Sequence, residues 1–292
     1  MWDAGNVGSQ HTLVGNGPVS GQDPSGKQSY LPSGLSSVLA DNAIRTAPIP
    51  LPDVRWRASA NADLGGRERS EVMDWSSDAE RRGVETYLRQ RILKDTVAAQ
   101  HKLASDGYSD NSGLQLRLQR LRSEIPAMQF VNERVKKRLA DGGFALTQGR
   151  WDGNSLVVNT AAYRQDAQLA SGGNAADWWY GAGKSAFLTQ FHEACHAYNE
   201  TRGDMQGEDE RVDEEAQARW WAANLHNNLS IIDRKTVREA ERGSRVGGIA
   251  EDYSTFRSTL RDADGNFRGR SDRIRAFTER MRSRLEGLGY GR

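Results

Sequence analysis

Residues 187–202 read Phe-Leu-Thr-Gln-Phe-His-Glu-Ala-Cys-His-Ala-Tyr-Asn-Glu-Thr-Arg, and no other stretch constrains the chain as strongly. His192, Glu193 and His196 form an H-E-x-x-H pattern. On a helix, residues four apart lie one turn apart on the same face, so both imidazoles reach a single metal ion. Glu193, next to the first of them, is placed to hold a water on that ion and take its proton. Phe187, Leu188, Phe191, Ala194, Cys195 and Tyr198 supply an apolar stripe at roughly helical spacing, uninterrupted by proline. Gly183 and Gly203 bracket the stretch, with Ser185 as a candidate N-cap.

A catalytic metal of this type, for which zinc is the expected ion, needs a third protein ligand and an open position for water. The variant that uses Gly and a third His further along the same segment is excluded, because Asn199 and Arg202 stand at those positions. The remaining solution is a carboxylate on the next helix. Asp213, Glu214 and Glu215 lie at the right separation. Glu215 comes first, since it shares a helical face with Ala218, Arg219 and Ala222, whose small members permit close packing on the histidine helix. Glu214 is the second choice, and His226 is a further alternative. The competing reading of this acidic run is a solvated helix face.

The chain has 292 residues, enough for one catalytic domain and a tail. A net charge of +1 names no partner. The single cysteine, Cys195, excludes an intramolecular disulfide and a cysteine-built zinc cluster. It sits about 100° off the histidine face, which reads as packing. No apolar run is long enough to span a membrane, and Met1–Gly5 does not open a Sec-type signal peptide.

Residues 1–70 read as a disordered segment, and 71–292 as the catalytic domain. The first forty residues are rich in Gly and Ser with few charges, and Pro48, Pro50 and Pro52 alternate. Helices are expected over 74–105, 113–124 and 126–140, the last from Met128, Val131, Val135 and Leu139 at helical spacing. Residues 144–147 and 156–159 read as a β-hairpin turning at Trp151-Asp152-Gly153-Asn154. Such an edge strand beside a metal helix offers main-chain groups to an extended peptide. Residues 170–183 read as a loop whose Trp178-Trp179-Tyr180 either lines a cleft or anchors on the core. Helices follow over 211–229, 233–242 and 271–287. The arginine-rich C-terminus reads as a solvated helix face and not as a nucleic-acid site, since no aromatic platform accompanies it.

This order of features resembles the NleD-type zinc metalloprotease effectors that bacteria inject into host cells. His192, Glu193, His196, Ala197, Glu214, Glu215 and Ala218 carry the resemblance, within residues 140–260. Ala194-Cys195 stands where that family has aliphatic residues, and its Asn near the end of the second helix has no clear counterpart in Ala222-Ala223-Asn224. The resemblance implies an α+β zincin-like fold, mostly helical, with a small antiparallel hairpin beside the active-site helix. It implies a secreted endopeptidase in which His192, His196 and Glu215 hold Zn2+ and Glu193 is the general base. Tyr253 or Arg245 would stabilise the oxyanion. It further implies type III secretion, a secretion chaperone, and a host protein substrate, a kinase in the case of the namesake. The rival expectation is a zincin-fold module that binds a host protein without cleaving it.

Overall fold

The computed structural model divides the chain into two units, Met1–Pro48 and Ile49–Arg292. The described residues are 21–22, 29–30, 33–52, 78–105, 111–133, 136–138, 144–163, 175–200, 208–230, 233–238 and 249–287. In the first unit, β1 (Gly21–Gln22) pairs antiparallel with β2 (Ser29–Tyr30), and a helix, α1 (Ser33–Thr46), follows. Sequence composition gives no hint of this helix. It forms where glycine and proline are absent between Gly34 and Pro48, and it stops short of Pro48. Val38 and Leu39 are exposed on it. The remainder of residues 1–70, apart from 47–52, lies outside the described residues.

The second unit is mostly helical. Helix α2 (Asp78–Ser105) starts with Asp78 and Glu80 in its first turn, which suits the positive end of the helix dipole. Val84, Leu88 and Ile92 are fully buried along one face. Helix α3 (Asn111–Glu124) buries Leu114, Leu118 and Leu121 and gives way at Pro126 to a 3-10 turn, Ile125–Ala127. Arg89 of α2 caps this break, donating to the carbonyls of Ile125 at 2.6 Å and Met128 at 2.9 Å.

The helix expected over 126–140 does not form. Its place is taken by β3 (Gln129–Val131) and β4 (Lys136–Arg138). The apolar spacing there fits a helix, but Phe130 and Val131 also suit a strand, and a pairing partner distant in sequence decides between them. That partner is β7 (Leu156–Asn159), which β3 joins in parallel. The expected hairpin is also shifted. β5 (Phe144–Leu146) pairs with β4, and it is β6 (Gly149–Trp151) that pairs antiparallel with β7. The sheet order is β3-β7-β6, a mixed sheet with β6 at an edge. Its turn has the expected chemistry. Asp152 Oδ1 accepts the amides of Asn154 and Ser155 at 3.0 and 2.8 Å, and Gly153 takes φ 92°.

Helix α4 (Ala175–Glu200) begins inside the segment expected to be a loop. Gly183 and Ser185 are therefore mid-helix, and Ser185 is not a cap. Gly183 is needed there for space, since a Cβ would stand 2.5 Å from Cγ of Arg91. Trp179 is buried, and its carbonyl accepts the Tyr87 hydroxyl at 2.7 Å, so this residue anchors α4 to α2. Helix α4 packs against α2, α3, β6, β7 and α5 (Glu208–Asn227). Against α5 lie α6 (Ile249–Thr259) and α7 (Arg270–Gly287), with Trp220, Phe256 and Phe277 fully buried among them. Residues 233–238 form a short helical turn. No helix among the described residues is long and apolar enough to cross a membrane.

Candidate metal centre

Helix α4 presents His192 and His196 one turn apart, and α5 brings Glu215 against them. Three donor atoms meet. His192 Nε2 and His196 Nε2 are 3.0 Å apart, and Glu215 Oε2 stands 3.5 Å from the first and 3.3 Å from the second. Ligands of a tetrahedral ion with bonds of about 2.0–2.1 Å stand about 3.3–3.4 Å from one another. The triangle thus has the size of one face of such a tetrahedron, and its residue types are those that hold first-row divalent metals. These three residues can hold a metal ion.

Both members of the acidic pair are engaged, in different roles. Successive helical residues point about 100° apart. Glu215 faces the triangle, while Glu214 Oε1 lies 2.6 Å from His196 Nδ1. A carboxylate there fixes the proton on Nδ1 and turns the Nε2 lone pair toward the ion position. Asp213 is drawn elsewhere and accepts Arg282 Nη2 at 2.6 Å. Burial by itself would depress the His196 pKa, but its hydrogen bonds to Glu214 and Glu215 hold it well above the ordinary imidazole value. Glu215 is almost fully buried, which alone would raise its pKa. The Arg219 guanidinium and the His192 imidazole outweigh burial and hold it well below the carboxylate range.

Glu193 reaches the site from the sheet side. Gln148 accepts the Asn159 amide at 2.9 Å and Ser155 accepts the Asp152 amide at 3.3 Å, so the even-numbered residues of β6 face β7. The Trp151 amide therefore points off the open edge, where it donates to Glu193 Oε2 at 2.9 Å. Gly149 leaves room for the Gln190 side chain of α4, whose Nε2 would stand 2.2 Å from a Cβ there. Gln190 itself donates to the Val157 carbonyl at 3.2 Å, tying helix to sheet one turn before Glu193. The Trp151 indole donates to Glu200 at the end of α4. No sequence signal marked Trp151 or Gly149 as part of the site, because their roles depend on the main-chain direction of an edge strand.

Other sequence-derived candidates stand apart from the triangle. Cys195 is fully buried, and burial pushes its thiol up to about 12, which keeps it un-ionised. His226 is buried, with its ring 4.8 Å from that of Tyr253, and burial lowers its pKa to about 4. The Tyr253 hydroxyl donates to Asn227 Oδ1 at 3.1 Å. Asn227 lies twelve residues beyond Glu215 on α5, about 18 Å of helix, so the structure does not bring Tyr253 to the donor triangle. Arg245 lies outside the described residues. No protein-family model, no curated protein and no solved structure matches the chain.

Proposed function

We propose that this chain is a zinc-dependent endopeptidase of zincin-like α+β type, a bacterial effector delivered by type III secretion that hydrolyses a peptide bond in a host protein. The observation that carries the reading is the donor triangle of His192, His196 and Glu215, at tetrahedral spacing, with Glu193 beside it on the same helix. Two imidazoles and one carboxylate suit zinc, and three protein ligands leave a position open. When bound, zinc polarises the scissile carbonyl and lowers the pKa of water to about 7.

The chain's own residues do the rest. Glu193 accepts a proton from the attacking water and passes it to the leaving nitrogen as the C–N bond breaks, giving a carboxylate and an amine. The Trp151 amide holds Glu193 Oε2, which orients the carboxylate for both transfers. Glu214 holds the His196 tautomer. β6 lies at the sheet edge beside Glu193, and its outward carbonyls, rather than the Trp151 amide that Glu193 holds, support an extended peptide as substrate.

The test compares zinc-loaded wild type with zinc-loaded Glu193→Gln in a eukaryotic cell extract, scoring newly formed protein N-termini. Wild type is expected to create them, and the variant to do so more slowly by roughly 10²–10⁴-fold at unchanged metal content. Equal cleavage by both would refute the mechanism. A zinc-replete wild type that creates no new N-termini would favour a binding module over an enzyme.

A further inference from the structure

Glu215 uses its two oxygens differently. Oε2 faces the two imidazoles, at 3.5 and 3.3 Å. Oε1 accepts the Nε–H of Arg219, one turn along α5, at 2.6 Å. The same guanidinium donates from Nη1 to Asp252 Oδ2 on α6 at 3.1 Å. Asp252 Oδ1 in turn accepts Arg284 Nη1 of α7 at 2.9 Å. Glu215 and Arg219 are 5% exposed and Asp252 1%, so the relay is interior up to Arg284, which is partly exposed.

Buried ion networks are a poor means of adding stability, because apolar side chains of the same shape serve as well. They are a good means of fixing orientation. A carboxylate with both oxygens free can swing or bind an ion through either. One oxygen held by a planar, pre-aligned guanidinium leaves only the other for the metal. A lysine ammonium lacks the planar fork that fixes the direction of each donor, so it holds one Glu215 oxygen with less orientation.

We propose that Arg219, backed by Asp252 and Arg284, is a positioning residue that restricts Glu215 to ligation through Oε2, so that the last two helices of the chain set the affinity of the metal centre. This rests on reading the triangle as a zinc site. It adds that residues with no contact to the ion govern how tightly the ion is held.

The experiment measures zinc affinity of the full chain by competition with a chromogenic chelator, for wild type, Arg219→Gln, Arg219→Lys and Arg284→Gln. Arg219→Gln is expected to bind zinc about 10–100-fold more weakly, the usual effect of removing a ligand's outer partner. Arg219→Lys should fall between it and wild type, and Arg284→Gln should show a smaller loss of the same sign. The visible absorption band of the cobalt(II)-substituted protein should change in Arg219→Gln, a signature of ligand geometry that a purely structural role does not move. If Arg219→Gln does not fold, the other two variants decide. Folded variants whose metal-free form melts earlier, but whose zinc affinity and cobalt band equal those of wild type, would overturn the inference. A wild type that binds no zinc would instead overturn the reading of the site beneath it.

Discussion

Helix α4 carries a buried polar cluster in each half, and the two balance their charge differently. In the N-terminal half, Asp95 lies between Arg91 and Lys184, each at 2.9 Å. Lys184 also approaches Asp233 at 3.5 Å, and the Tyr180 hydroxyl donates to that carboxylate at 2.5 Å. Two cations meet two carboxylates, and the cluster closes on itself. In the C-terminal half, Glu193, Glu214, Glu215 and Asp252 stand against Arg219 and Arg284. Among the described residues two negative charges remain over, one of them on the part-buried Glu193, gathered around two imidazoles. Uncompensated buried charge is costly, and one divalent cation removes it. The raised pKa of His196 fits this: without a metal, a proton on that ring supplies part of the missing positive charge. Polar burial alone therefore does not mark a metal centre. What sets the candidate site apart is the unbalanced charge among the described residues and the three donor atoms that meet there.

The largest effect expected from breaking this contrast is at the balanced cluster. Asp95→Ala removes the carboxylate of Arg91 and leaves Lys184 with Asp233 alone, and removing one partner of a buried pair costs about 3–5 kcal/mol. Denaturant unfolding should show that loss, while metal content per folded chain stays at the wild-type value. A loss of metal in this variant would mean that the clusters are not independent. At the unbalanced cluster, Glu214→Gln should weaken metal binding by roughly 10–100-fold, because the His196 ring loses the partner that fixes its tautomer. Chelator competition measures this, and Glu215→Ala, which removes a ligand, should bind more weakly still. The smallest effect is a pH slope. The metal-free protein holds a proton on His196 to well above the ordinary imidazole pKa, and the metal must displace it. Acidification below that raised value should therefore weaken binding by about tenfold per pH unit for that proton. Calorimetry in buffers of different ionisation enthalpy should register the proton released. An affinity that does not change with pH would contradict this picture of His196.

The two halves of α4 were unequally legible in the sequence. His192, Glu193 and His196 announce themselves because the ligand geometry of one helical turn is written in a spacing of four. In the acidic segment the sequence puts Glu215 first and Glu214 second, with Asp213 and His226 as further alternatives. The structure engages both glutamates, since these neighbours on a helix face different nitrogens of the same histidine, His196. The Asp95–Lys184–Asp233 cluster left no trace, because its members lie far apart in the chain and meet only through packing of α2, α4 and the turn at 233–238. The helix expected over 126–140 failed for a related reason: local periodicity cannot register the parallel pairing of β3 with β7. A hairpin does turn at Asp152-Gly153, but not between the expected strands: its first strand is Gly149–Trp151, and residues 144–146 pair with β4. Gly149 weakens any strand reading of that segment, yet a Cβ there would stand 2.2 Å from the Gln190 amide that ties α4 to the sheet.

The central claim is that α4 and α5 converge on a divalent metal through His192, His196 and Glu215. Elemental analysis of the purified full chain, expressed with zinc in the medium, tests it most directly when wild type and His196→Ala are compared. The account predicts about one zinc per wild-type chain, and its loss in the variant, because two ligands of three cannot hold the ion in the same way. A His196→Ala protein that keeps a full equivalent of zinc, or a folded wild type that contains none, would contradict it.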